Sequence, residues 1–126
     1  MQNKNSNAQE VINQIIEGIQ DKKGKEIVIV DMLKLGNSIC DYFVICQGNT
    51  PTQVEAIADS VRQYTREHTG VKPIAYEGYR NAQWIIIDYG NIFAELLDRV
   101  VTQIFVSPVV SIQFEARINI VERSAA

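Results

Sequence analysis

Three carboxylates, Asp31, Asp41 and Asp88, each stand at the end of an apolar run. Strand ends in α/β folds often carry chemistry, and a pair of such acids on a metal ion would suit phosphoryl or nucleotidyl transfer. No D-x-D occurs in the chain, however, and isolated strand-end acids more commonly cap turns. A second candidate is the stretch Gly48-Asn49-Thr50-Pro51, which joins an apolar run to a helical pattern. A helix N-terminus can hold an anion, but this corner has one glycine and no following lysine, so it is no phosphate loop of the G-x-x-x-x-G-K-[ST] kind. Thr50 and Gln53 form a T-x-x-Q capping box that would itself satisfy free amides, with Pro51 suited to the first helical position. The corner reads as a joint that aims a helix.

Other nucleophiles and ligands find no set. His68 is the only histidine and sits in the helix exit "REHTG", where it would face solvent beside the negative end of the dipole. With one His and two distant Cys there is no zinc site. No triad can be assembled around Ser38, Ser60 or Ser107. Cys40 and Cys46 flank one strand pattern and would lie roughly 20 Å apart at strand rise, beyond the ~7 Å that a disulfide spans. They read as two thiols in a reducing compartment.

Binding chemistry has more support. The stretch "EGYRNAQWIIIDYG" (77–90) gathers Glu77, Tyr79, Arg80, Trp84, Asp88 and Tyr89 within fourteen residues. Aromatic side chains with arginine make interface anchors when they surround a desolvated patch. The alternative is that Trp84 is core and the charges are solvated loop, and the residues alone leave both readings open.

These residues need elements to position them. "SNAQ" (6–9) has capping-box form, followed by Val11, Ile12, Ile15, Ile16 and Ile19 on one helical stripe, with Lys22 and Lys23 at the dipole's negative end and Gly24 suited to the C′ position. "KEIVIVD" (25–31) and "DYFVIC" (41–46) are β-branched or aromatic strand runs separated by a turn at Gly36-Asn37. Val54, Ile57, Ala58, Val61 and Tyr64 give a second helical stripe, ending near Gly70. "VKPIAYEG" (71–78) predicts a strand whose Pro73 favours an edge or entry position, and "QWIIID" (83–88) predicts another. "NIFAELLDRVV" fits strand or helix, and the following segment alternates until Pro108. The order predicts an α/β domain with a mixed central sheet and flanking helices.

The chain as a whole sets limits. Its 126 residues, 46% of them hydrophobic, suffice for one domain with a real core. A net charge of −3 argues against a general grip on nucleic acid, which needs clustered cations. The start "MQNKNSNAQE" has no apolar signal region, and no run reaches the ~18 apolar residues of a membrane span. A cytoplasmic location, with no membrane partner and no sequence-specific nucleic acid, is the expectation.

Taken together, "IIEGIQDKKGKEIVIVDM", "DYFVICQGNTPTQVEAIAD", "KPIAYEG" and "WIIIDYGNI" closely resemble the Iojap-type ribosomal silencing factors, in order and spacing, over roughly residues 8–93. The resemblance implies one such domain over 1–126, nucleotidyltransferase-like in fold but without that activity. Residues 1–7, a polar arm, and 122–126, with the tail "RSAA", are expected to be loose. It implies no catalytic residue, no metal and no cofactor. It also implies binding to the large ribosomal subunit through the basic ribosomal protein uL14 (L14), which would block joining of the small subunit and repress translation under nutrient limitation. Glu77, Gly78, Trp84, Asp88 and Tyr89 are the expected partner-binding residues, with apolar contact for affinity and carboxylates for register. A homodimer through an apolar sheet edge is open to the free chain.

Residues 94–115 depart from the family pattern. After the D-Y-G segment the family continues V-H-V-F and then R-x-F-Y-x-L-E-x-L-W-x-D-A, whereas this chain has Ala94-Glu95-Leu96-Leu97 and "RVVTQIFVSPVVSIQFEA". "EARINI" near the end matches again. A mismatch between matching flanks fits a shifted reading frame in the gene or its sequencing; a genuine divergence would put the last strand and the helix after it in doubt.

Overall fold

The computed structural model describes residues 4–33, 40–99 and 119–123. The elements run α1 (Lys4–Asp21), β1 (Lys25–Asp31), β2 (Tyr42–Gly48), α2 (Pro51–Thr69), β3 (Ala75–Glu77), β4 (Trp84–Asp88), β5 (Ile92–Asp98) and β6 (Asn119–Arg123). The Gly36-Asn37 turn, Ser38, Ser107 and Pro108 lie outside the described residues, as do positions 100–115 of the atypical segment.

The stripe Val11, Ile12, Ile15, Ile16, Ile19 is buried, and each such side chain contributes about 1.5–3 kcal/mol of burial. The helix begins at Lys4, so Ser6 lies inside it and the expected capping box does not mark its start. Once a helix is nucleated, adding a residue costs little, and polar residues continue it. At the other end Lys23, not Gly24, takes the left-handed conformation (φ +61°). Gly24 N–H closes onto Ile19 O at 2.9 Å and Lys23 N–H onto Gln20 O at 3.0 Å, a Schellman pair. Gly24 is needed for space instead, since a Cβ there would come within 2.4 Å of Ile19 Cγ2.

The sheet is six-stranded, in the order β3-β4-β5-β2-β1-β6. β2 and β5 are parallel, and every other neighbouring pair is antiparallel. The mixed sheet therefore has β3 on one edge, as Pro73 predicted, though the strand is only three residues long. The ambiguous "NIFAELL" forms β5, a central strand paired with β2 over Ile92–Asp98 and with β4 over 93–97. Glu122 and Arg123, at the end expected to be loose, pair with β1.

Side chains alternate across the sheet. Ile27, Val44, Cys46, Ile85, Ile87, Ile92, Ala94 and Leu96 point to the helices and close the main core with α1 and α2. Val30, Ile45 and Leu97 form a second cluster on the opposite face, with Val28 and Phe43 packed against it. The helices cross closely at Gly18, where Ser60 Oγ donates to Gly18 O at 2.8 Å. In α2, Thr65 extends the buried stripe in place of the half-buried Tyr64.

Candidate functional site

Thr50 is the N-cap of α2 (φ −140°, ψ 157°), and its side chain accepts from Gln53 N–H at 3.1 Å. Gln53 Oε1 reaches back to Asn49 N–H (2.7 Å), one residue beyond the N-cap amide that a capping box uses. Gln53 Nε2 donates to Lys22 O (3.0 Å) and Lys23 O (3.2 Å), tying the exit of α1 to the start of α2. These groups are occupied with one another, so the corner works as a joint.

Of the strand-end acids, Asp41 lies just before β2 beside the end of β1, where its backbone O accepts from Met32 N–H at 2.8 Å. Asp31 and Asp88 do not converge. Asp31 lies on β1 and Asp88 on β4, three strand steps or roughly 14 Å apart. Each caps locally: Asp31 Oδ1 accepts from Leu33 N–H (2.9 Å) and Asp88 Oδ1 from Gly90 N–H (2.7 Å). Among the described residues no three of His, Cys, Asp and Glu gather in a metal-sized group. Both cysteines are buried thiols, and Cys40 Sγ donates to Tyr42 O at 3.3 Å. Burial raises both thiols, Cys40 to about 11, which suppresses the thiolate a nucleophile requires. His68 is exposed on the last turn of α2, beside Tyr64. Ser60 is committed to the α1–α2 contact.

The segment 77–90 is divided by the pleat. Trp84, Ile86 and Asp88 alternate onto the sheet face away from the helices. Cross-strand register adds Glu77 opposite Ile86 and Ala75 opposite Asp88 on one side, and Glu95 opposite Ile86 and Phe93 opposite Asp88 on the other. Two rows result: Glu77–Ile86–Glu95, and Asp88–Phe93–Phe43. Phe93 and Phe43 meet edge to face at 5.8 Å. Trp84, 36% exposed, donates from Nε1 to Glu95 Oε1 at 3.1 Å. A hollow of about 280 Å³ opens between Glu77, Ile86, Asp88 and Phe93. The face is thus an apolar floor crossed by three carboxylates, at Glu77, Glu95 and Asp88. Burial raises the Glu95 carboxyl above its ordinary value, and the Trp84 N–H partly offsets this.

Gly78 shapes the turn. Its φ is +99°, and a Cβ there would lie 2.1 Å from Trp84 O, so only glycine lets β3 turn past the indole-bearing strand. Tyr89 goes the other way: it is 7% exposed beneath α2, and its hydroxyl lies 2.9 Å from Thr65 Oγ1. Of the expected set, Glu77, Gly78, Trp84 and Asp88 come together and Tyr89 does not. Ile86, Phe93, Phe43 and Glu95 are the members that sequence reasoning missed. Period-2 alternation from Trp84 would have found Ile86 and set Tyr89 apart; the other three come from strand pairing distant in sequence.

The domain is a small α/β unit with one helix-covered sheet face and an acidic-apolar face opposite. Comparison with known proteins gives the family. The family described as "Ribosomal silencing factor during starvation" (RsfS) matches residues 5–101. A ribosomal silencing factor RsfS of Halalkalibacterium halodurans is 32% identical over 91 residues, covering 72% of this chain and 76% of the relative. One of Chromobacterium violaceum is 32% identical over 89 residues, 71% of each chain. Among solved structures, a Chromobacterium violaceum protein superposes with a TM-score of 0.75 at 28% identity, over 81% of this chain and 83% of that one. A Bacillus halodurans protein gives 0.65 at 33% identity, over 72% and 83%. The chain belongs to the ribosomal silencing factor family.

Proposed function

We propose that this chain binds the large ribosomal subunit through the basic protein uL14 and, by its bulk, keeps the small subunit from joining, so that translation falls when nutrients are scarce. The observation that carries this reading is the pairing of an apolar floor with three carboxylates on the sheet face away from the helices, in a member of this family. Apolar area supplies affinity, while the carboxylates steer a basic partner and fix its orientation. Trp84, Ile86 and Phe93 form the centre of the contact, with Glu77, Asp88 and Glu95 around it. Gly78 and the buried Tyr89 hold the strands that present them.

The mechanism is exclusion, and it requires no bond to be made or broken. The runner-up, a metal-dependent nucleotidyl transferase, needs acids that face one another, and Asp31 and Asp88 stand on separate strands with other work. Sedimentation of the full chain with ribosomal particles is the test. Co-migration with free large subunits and not with joined ribosomes is expected; equal binding to both, or to neither, contradicts the reading.

A further inference from the structure

The acidic net charge conceals a local reversal on the helix side of the sheet. Gly70 turns the chain back (φ +72°), which lays the following residues alongside α2 and leaves an open cleft of about 520 Å³. Among the described residues its lining includes Arg62, Arg66, Lys72 and Tyr76, with Asp59 as the one carboxylate. Three cations against one anion leave a positive excess. The carbonyl end of α2 opposes it by only about half a charge.

Arg62 is held in place. Its guanidinium carbon lies 3.8 Å over the Tyr76 ring, and Nη1 donates to Tyr79 Oη at 3.3 Å. Asp59 Oδ1 is 3.9 Å away. Arg62 Nε is buried with no acceptor among the described residues, so one donor of this guanidinium is unsatisfied there. Arg66 and Lys72 are exposed, and so is the ribbon from Ile74 to Gly78, with Tyr76 at 47%. A floor this open cannot enclose a small ligand, but an extended strand can track along it. Tyr76 and Glu77 are neighbours on edge strand β3 with side chains on opposite faces. One edge of the domain therefore carries a cationic, aromatic side and an acidic, apolar side.

We infer that the Arg62–Arg66–Lys72 cleft holds backbone phosphates of a single-stranded or looped RNA, with Tyr76 offering a base a surface to stack on. Cation-lined grooves with aromatic platforms bind RNA in this sequence-tolerant way. The inference rests on the proposed function in one respect: a domain docked on a basic ribosomal protein meets RNA at that protein's border, and this cleft adjoins the docking face across a single strand.

The test uses the full chain and a labelled single-stranded RNA of about ten nucleotides, a footprint usual for one small domain. Anisotropy at low salt is expected to give a Kd of roughly 10⁻⁴ M, with amide shifts at Arg66, Lys72 and Tyr76. The double variant Arg66→Ala, Lys72→Ala should bind about tenfold more weakly, and its salt dependence should flatten by about 1.4 in log–log slope, the value for two lost phosphate contacts. Its melting curve should match the parent, since both side chains are exposed. Equal affinity in the variant, shifts confined to other residues, or adenosine monophosphate or pyrophosphate binding as tightly as the RNA would each overturn the inference. Large-subunit sedimentation is read separately. RNA binding lost with docking retained removes the cleft alone, whereas docking absent with RNA binding retained removes the functional reading and leaves the cleft standing.

Discussion

Trp84 donates its indole N–H to the Glu95 carboxylate at 3.1 Å, linking β4 to β5 across the face opposite the helices. The two are diagonal neighbours: Trp84 stands opposite Leu97, and Glu95 opposite Ile86. The bond ties the largest apolar side chain of the face to its most central carboxylate. Trp84→Ala should lower affinity for large subunits about thirtyfold, or ~2 kcal/mol, the scale of a central aromatic anchor. Trp84→Phe should fall between the two. Titration of each purified variant with labelled subunits checks the order, and full affinity in Trp84→Ala would move the contact elsewhere.

Glu95 makes a prediction with two opposite signs. Burial raises its carboxyl, so the folded chain holds the proton more tightly than the unfolded chain does. Acidification from neutral pH toward the ordinary carboxylate range therefore adds stability, and that contribution fades as pH rises through the folded value. Glu95→Gln should raise the melting temperature at neutral pH and show no advantage near about pH 4. The same variant should bind large subunits more weakly, having lost a carboxylate from the face. Thermal melts at both pH values and one binding titration separate the two effects.

Asp88 has a structural duty and a proposed electrostatic one. Its Oδ1 accepts from Gly90 N–H at 2.7 Å, and Gly90 is left-handed at φ +93°. Asp88→Asn keeps that acceptor and removes the charge. Association with large subunits should slow severalfold at low salt while dissociation changes little, as steering charges act. An on-rate that matches the parent at low salt would strike Asp88 from the docking face.

Gly78→Ala places a Cβ against Trp84 O in a left-handed conformation. A cost of about 2 kcal/mol is expected, along with displacement of Trp84 and weaker docking. Urea melts and indole fluorescence read the two parts.

Gln53→Ala removes the acceptor for Asn49 N–H and the donor to Lys22 O and Lys23 O. Stability should drop by about 1–2 kcal/mol, and Thr50→Ala by about 1 kcal/mol. Both should leave the affinity of the folded protein unchanged. A large loss of binding in a folded Thr50 variant would make the corner a site after all.

Local patterns were legible where one residue's neighbours in sequence are also its neighbours in space. The buried stripes of α1 and α2, the Thr50 cap and the strand runs of β1, β2 and β4 follow from period and turn chemistry. β5 was ambiguous because Ala94, Glu95, Leu96 and Leu97 are good helix formers; a central place between β2 and β4 overrides that preference. The same pairing builds the face proposed for docking. Glu95 and Phe93 reach Ile86 and Asp88 through β4–β5 register, and Phe43 joins through the parallel β2–β5 pair, which spans about fifty residues of sequence. Tyr89 was grouped with Trp84 by proximity along the chain, while the pleat sends it under α2 to Thr65. The cationic cleft escaped notice because Arg62 and Lys72 lie on either side of the Gly70 turn, scattered within an acidic chain.

The silencing proposed for this chain is exclusion by occupancy. Stopped-flow light scattering of small and large subunits, mixed with and without saturating full-length chain, measures it directly. Joining should be suppressed in proportion to large-subunit occupancy and restored by Trp84→Ala. Subunits that join at the parent rate while the chain remains bound would contradict the claim.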